Sequence, residues 1–234
     1  MSTDRPSEKF NCPIPYDAPI EILKQQIGTP GPSAWVAFIA LAFHPNTEAI
    51  SLLVEYANHS DWTYRRISIE SIGLSPKATS LSHILVGALD DQNSYVIQTA
   101  CDTIAKNKLK EANDKVCQLL LSTDPNIRRS ALLTLADIWQ PSCFRKVVNL
   151  FQTERNETVR KEAAWTLRKQ VDKTSWRELF ELWQRDSLSR HRLFACEIAE
   201  EFGNNAVRDK ITMLLNDKDG HVIKAATRVL QKLT

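Results

Sequence analysis

A chain of 234 residues, 43% of them hydrophobic and 25% charged, has the make-up of a folded protein and argues against disorder outside its first residues. Its formal charge of +2 is too small to demand a nucleic-acid partner, and its longest apolar run, Ala34 to Phe43, is too short to cross a bilayer. Five scattered cysteines (Cys12, Cys101, Cys117, Cys143, Cys196) with no Cys-x-x-Cys pair argue against a disulfide framework and a zinc site, and fit a reducing cytoplasm.

Residues 1–19 carry Pro6, Pro13, Pro15 and Pro19 and read as an extended arm, because proline fixes φ and withholds a backbone donor. They lack the apolar centre of a signal peptide. Residues 20–44 hold two apolar stretches, Ile20 to Ile27 and Ala34 to Phe43, around Pro30, Gly31 and Pro32, which predicts a degenerate helical hairpin capping whatever follows. The first sixty residues carry six acids against three bases, so the remainder is the more basic part.

From residue 45 a ladder runs to the end of the chain. Asp61, Asn93, Asp124, Asn156, Ser187 and Asp219 recur at intervals of 32, 31, 32, 31 and 32 residues, and all are good helix N-cap types. Eleven residues beyond them stand Ile72, Ile104, Leu135, Leu167, Ile198 and Leu230; eight residues before them stand Leu53, Leu85, Val116, Val148, Leu179 and Ile211. Each period therefore holds two amphipathic helices, giving six repeats at about 45–75, 76–107, 108–138, 139–170, 171–202 and 203–234. In the third, Asp124 caps, Pro125 takes the first helical position where its missing N–H is harmless, and Ile127, Ala131 and Leu135 form one stripe. Val116, Leu119 and Leu120 form the stripe of its companion, and Ala100, Ala131, Ala163 and Ala226 permit close helix contact.

The segment Asp-Pro-Asn-Ile-Arg-Arg-Ser-Ala-Leu-Leu-Thr-Leu (Asp124 to Leu135), echoed by Asn156 to Leu167, resembles a HEAT repeat of the short, bacterial, phycobilin-lyase-like kind over about residues 45–234. The fold expected is all-α, a right-handed α-solenoid of HEAT-like helical hairpins with an armadillo-type architecture. The resemblance implies that second helices line the concave face and that Arg65, Arg128 and Arg160 bond acidic groups in neighbouring turns. Ile97, His191 and Ile223 depart from the pattern, which predicts an interrupted ladder of ion pairs. A HEAT array serves as adaptor, enzyme chaperone, lyase subunit or DNA repair enzyme, so the resemblance implies fold more than use.

One residue past the family arginine come Arg66, Gln98, Arg129, Lys161, Arg192 and Lys224, about 200° around the helix from the residue opening each buried stripe. They are expected to face away from the core, as a row of cations attractive to an acidic partner or as a merely solvated face. Glu70, Asp102 and Glu197 interleave with them and weaken continuous positive field. Trp165 lies off the core stripe beside Lys161 and Arg168, placed either to anchor a partner or to wedge between repeats. Trp183 falls in a core column, Trp62 follows a cap, and Trp139 and Trp176 sit near turns.

The sequence nominates no catalytic residue, cofactor or metal ligand. His44, His59, His83, His191 and His221 lie apart without His-x-x-x-His spacing, and neither a glycine-rich phosphate loop nor a Gly-x-Ser-x-Gly elbow occurs. Cys101 and Cys196 read as buried small hydrophobes or as thiols. The leading expectation is a non-enzymatic scaffold that docks an acidic or mixed protein partner through Arg66, Arg129, Lys161, Trp165, Arg168, Arg192 and Lys224. A second is nucleic-acid binding, since Lys161 to Arg168 is similar to a Trp-bearing helix of the HEAT-like alkylpurine DNA glycosylases, with Arg129 as phosphate ligand and Asp102 the one acid to nominate. A third, a bilin lyase or lyase-like chaperone, is implied by the repeat subtype alone.

Overall fold

A computed structural model of the chain describes residues 14–28 and 31–233. Most of the proline-rich stretch, with Cys12, lies outside the described residues; its end packs down, with Tyr16 against the Phe43 ring at 5.2 Å and the Ala18 carbonyl accepting from His44 Nε2 at 3.1 Å. Fourteen α-helices and no strand occur among the described residues, and two compact units divide between Lys146 and Val147. The first contains α1 (Ile20–Ile27), α2 (Pro32–Phe43), α3 (Thr47–Tyr56), α4 (Trp62–Leu74), α5 (Ser82–Gly87), α6 (Ser94–Lys106), α7 (Asn113–Leu119) and α8 (Pro125–Ile138). The division falls within α9 (Phe144–Thr153), and the second unit continues with α10 (Glu157–Gln170), α11 (Trp176–Trp183), α12 (Ser189–Phe202), α13 (Arg208–Met213) and α14 (Gly220–Lys232).

In the first unit each odd-numbered helix packs on the even one after it, and α2, α4, α6 and α8 stack in series; α10, α12 and α14 do the same in the second. This is the all-α solenoid expected. The stacking follows from the stripes: Ile72, Ile104, Leu135, Leu167 and Ile198 are all buried, and Ala100, Ala131, Ala163 and Ala226 leave no exposed surface. Each such Leu or Ile contributes about 1.5–3 kcal/mol by leaving water. Helix α4 comes so close to α6 that a Cβ on Gly73 would meet Thr103 Cγ2 at 2.4 Å, so glycine is required there.

Five of the six ladder residues cap as expected: the side chains of Asp61, Asn93, Asp124, Asn156 and Asp219 accept the amides of Thr63, Tyr95, Asn126, Val159 and His221. Ser187 does not. Helix α12 starts one residue later, with Leu188 at the N-cap and no side-chain cap. The reason lies two residues upstream of each cap, where a polar side chain accepts the cap residue's own N–H. Asp91 does so for Asn93 at 2.8 Å, Glu154 for Asn156 at 2.8 Å, Asp217 for Asp219 at 2.8 Å, and His59 Nδ1 for Asp61 at 3.0 Å. Asp186 performs this for Leu188 at 2.9 Å, so it sets the register and Ser187 is passed over.

The slip restores the arginine ladder at His191, one of the three positions where the sequence has it interrupted; Ile97 and Ile223 still lack the arginine. His191 moves into the apolar column, 1% exposed, with Phe151 edge-on at 5.2 Å, and Arg192 takes the family position. Arg65 and Arg192 each gather the two carbonyls before their own cap and the acid two residues before the next. Arg65 Nη1 donates to His59 O and Ser60 O while Nε and Nη2 reach Asp91 at 2.7 and 2.8 Å; Arg192 Nη1 donates to Asp186 O and Ser187 O while Nε and Nη2 reach Asp217 at 2.6 and 2.8 Å. Arg160 pairs with Asp186 through Nη1 and Nη2, and Arg128 Nη1 holds the carbonyls of Ser122 and Thr123. Where Ile97 replaces the arginine, the next acid is also missing, and Ser122 takes its place in accepting the Asp124 amide.

These bonds tune the carboxyls. Burial alone would raise Asp91 and Asp186, but bonds from Arg65 and the Asn93 amide to the first, and the nearby His191 ring (Nδ1 at 3.1 Å) with bonds from Arg160 and the Leu188 amide to the second, hold both below the usual carboxylate value. Asp217 is lowered by Arg192, against its burial.

One further correction concerns sulfur. Cys117 in α7 and Cys143, in the 3-10 turn Pro141–Cys143 before α9, are joined as a disulfide with Cα atoms 6.4 Å apart, whereas their spacing suggests no framework. Adjacent hairpins bring together residues 26 apart, a proximity that no Cys-x-x-Cys pattern encodes.

Candidate interaction surface

In the second unit, α10 buries Val159, Ala163, Ala164, Thr166 and Leu167 and leaves Trp165 between them 42% exposed. Lys169 Nζ lies 5.3 Å from the centre of its ring. Several charges of α10, α12 and α14 are paired. Lys161 pairs with Glu157 one turn back; Arg168 reaches Glu197 at 3.2 Å and Glu201 at 3.5 Å on α12; Glu200 takes Arg228 and Lys232 of α14, both at 2.6 Å. Bonds from Arg228 and Lys232 lower the Glu200 pKa accordingly. Lys224 is exposed on α14. Arg192, predicted to stand in this row, is only 7% exposed and is spent on Asp217, because the register slip turns it inward.

In the first unit Arg129 is exposed on α8, and Arg66 is half-buried, 3.9 Å from Glu70. The feature missed there is an aromatic pair. Trp62, 38% exposed, and Tyr95, 59% exposed, open α4 and α6 and stack with ring centres 5.4 Å apart at 26°. The only sign in the sequence is that both follow a cap by one or two residues. A cleft of about 490 Å³ in the same unit is lined by His59, Arg65, His83, Asp90 and Asp91. Its charges are already engaged, Arg65 by Asp91 and Asp90 by Lys115, and the His59 Nδ1 acceptor is occupied by the Asp61 amide. Among the described residues no group of three His, Cys, Asp or Glu could hold a metal ion, and no helix is long and apolar enough to cross a membrane.

Each unit thus leaves exposed aromatic rings on its helices. The HEAT-repeat profile matches residues 81–168 and 144–231. No curated protein sequence matches the chain. Among solved structures, the Escherichia coli protein YibA is similar at a TM-score of 0.62 and 17% identity, over 99% of this chain and 98% of that one. An engineered protein is similar at 0.57 and 18% identity, over 92% and 68%, and the complex of CpcE and CpcF of phycocyanin lyase from a Nostoc species at 0.51 and 14%, over 92% and 94%. At these identities the likeness is one of fold.

Proposed function

The chain belongs to the HEAT-repeat family, and from that premise we propose that it is a protein-interaction scaffold whose even-numbered helices present aromatic anchors to a partner of mixed charge. The observation that carries the reading is Trp165, left exposed on a helix whose neighbouring positions are closed. A large rigid ring on a preformed surface gives contact area at small entropic cost, which is why tryptophan dominates binding hot spots. Trp62 and Tyr95 offer a second such area on the first unit. The partner is one of mixed charge and not a polyanion, because Lys161 and Arg168 already have carboxylate partners. That pairing also weakens the nucleic-acid reading, which requires unmatched cations to displace counterions from phosphates.

A photo-crosslinking residue placed at Trp165, compared with one at the exposed Lys173 in the turn before α11, tests the proposal. Discrete protein adducts are expected from position 165 alone, and Trp165→Ala is expected to weaken the recovered partner by about 2 kcal/mol with an unchanged melting temperature. Equal adducts from both positions, or full affinity in the folded Trp165→Ala protein, would overturn it.

A further inference from the structure

Cys117 and Cys143 are buried, at 2% and 0% exposure; Cys117 lies in α7 and Cys143 in the turn before α9, both within the first unit. The side chain between them is Asn113, itself 1% exposed. Its Nδ2 donates to Ile138 O at 3.1 Å, which fixes the orientation of the amide and turns Oδ1 toward the sulfurs, 3.0 Å from Cys143 Sγ and 3.9 Å from Cys117 Sγ. Among the described residues the two sulfurs are the only hydrogen-bonding neighbours of that oxygen.

The oxygen thus has a donor in one redox state and none in the other. A thiol carries an S–H that Oδ1 accepts, whereas a disulfide sulfur has no proton to give. Closing the S–S bond strands a buried carbonyl, which opposes oxidation, while the closed loop restricts the unfolded chain, which favours it. A purely structural bridge has no use for an acceptor aimed at its sulfurs. We infer that Cys117 and Cys143 are a reversible thiol–disulfide pair, closed by exchange with a small disulfide such as oxidised glutathione and reopened by thiols.

In the closing direction one cysteine thiolate attacks a glutathione sulfur and expels one glutathione thiolate; the second cysteine thiolate then attacks the protein-bound sulfur and expels the other. Both S–H protons go to solvent, the cysteines lose two electrons, and glutathione gains them. Entry is through the short turn Pro141–Cys143, whose Pro141 and Ser142 are exposed. Cys101 and Cys196 have no such partner, are buried in α6 and α12, and serve as internal controls.

The full chain is equilibrated in glutathione buffers from fully reduced to fully oxidised, approached from both directions, quenched in acid, labelled with N-ethylmaleimide and read by peptide mass. Cys117 and Cys143 are expected to lose label together, with a midpoint inside the buffer range, while Cys101 and Cys196 remain thiols throughout. Asn113→Leu removes the acceptor and is expected to move the midpoint about ten-fold toward more reducing buffer, since the dithiol alone loses a bond. The oxidised protein should melt on the order of ten degrees above the reduced one, a difference that Cys117→Ser abolishes. Two thiols persisting in the most oxidising buffer, a bridge that excess glutathione leaves closed in the folded protein, or an Asn113→Leu midpoint equal to the wild type would each overturn the inference.

Discussion

Arg192 grips Asp217 with two parallel hydrogen bonds, Nε to Oδ2 at 2.6 Å and Nη2 to Oδ1 at 2.8 Å, and its remaining nitrogen holds the carbonyls of Asp186 and Ser187. One planar guanidinium thus closes its own loop and fastens the next repeat, which the point charge of a lysine cannot do. Removing it leaves a buried carboxylate alone. Arg192→Met is expected to cost about 3–5 kcal/mol in urea unfolding, and adding Asp217→Asn should recover much of that. A loss no larger than that of an exposed ion pair, below about 1 kcal/mol, would show that the link carries no weight.

Acid should loosen these links by protonating their carboxyls. Asp91, Asp186 and Asp217 have lowered pKa values when folded, so their contribution is complete above the unfolded aspartate value of about 3.9 and is lost as pH falls through the lowered folded values. The melting temperature should stay level near neutrality and fall steeply below about pH 4, with a shallower fall in Asp217→Asn. Identical acid profiles for the variant and the wild type would refute the assignment for that residue.

The register of α12 is open to a direct comparison. Asp124 accepts the Asn126 amide at 2.8 Å, so Asp124→Ala should lose about 1 kcal/mol of stability. Ser187 makes no cap, and Ser187→Ala should stay within about 0.5 kcal/mol of the wild type. Equal losses at the two positions would restore Ser187 to the ladder.

Gly73→Ala should be destabilising although alanine is the better helix former. Its Cβ would fall within 2.6 Å of Thr103 Cβ as well as close to the methyl, and both atoms belong to a buried helix contact. Separating α4 from α6 should cost about 1–3 kcal/mol by thermal unfolding, and a stabilised variant would mean that the two helices are not so close.

The hairpins, the buried stripes and five caps were legible because they depend on period, which a single chain displays openly. The start of α12 was hidden by chance: Ser187 has a capping side chain and the right spacing, and only the bond from Leu188 to Asp186 decides against it. Arg192 inherited that error and was misplaced on the surface. The exposure of Trp165 followed from helix angle, but the partners of Arg168 did not, since Glu197 and Glu201 come from the next repeat. The bond between Cys117 and Cys143 and the stack of Trp62 on Tyr95 are likewise contacts between repeats, which periodicity within one repeat does not report.

The arginine links also imply that the repeats are not interchangeable. Arg65 with Asp91, Arg160 with Asp186 and Arg192 with Asp217 form charged junctions, while Ile97 with Ser122 forms an uncharged one in which both ionic partners are replaced together. Transplanting a repeat between the two kinds would bury an arginine or an aspartate without its mate, a mismatch far more costly than the bond is favourable. The repeat order is thus encoded at its joints, like keyed connectors, and a duplicated or shuffled unit would be accepted only where its key fits.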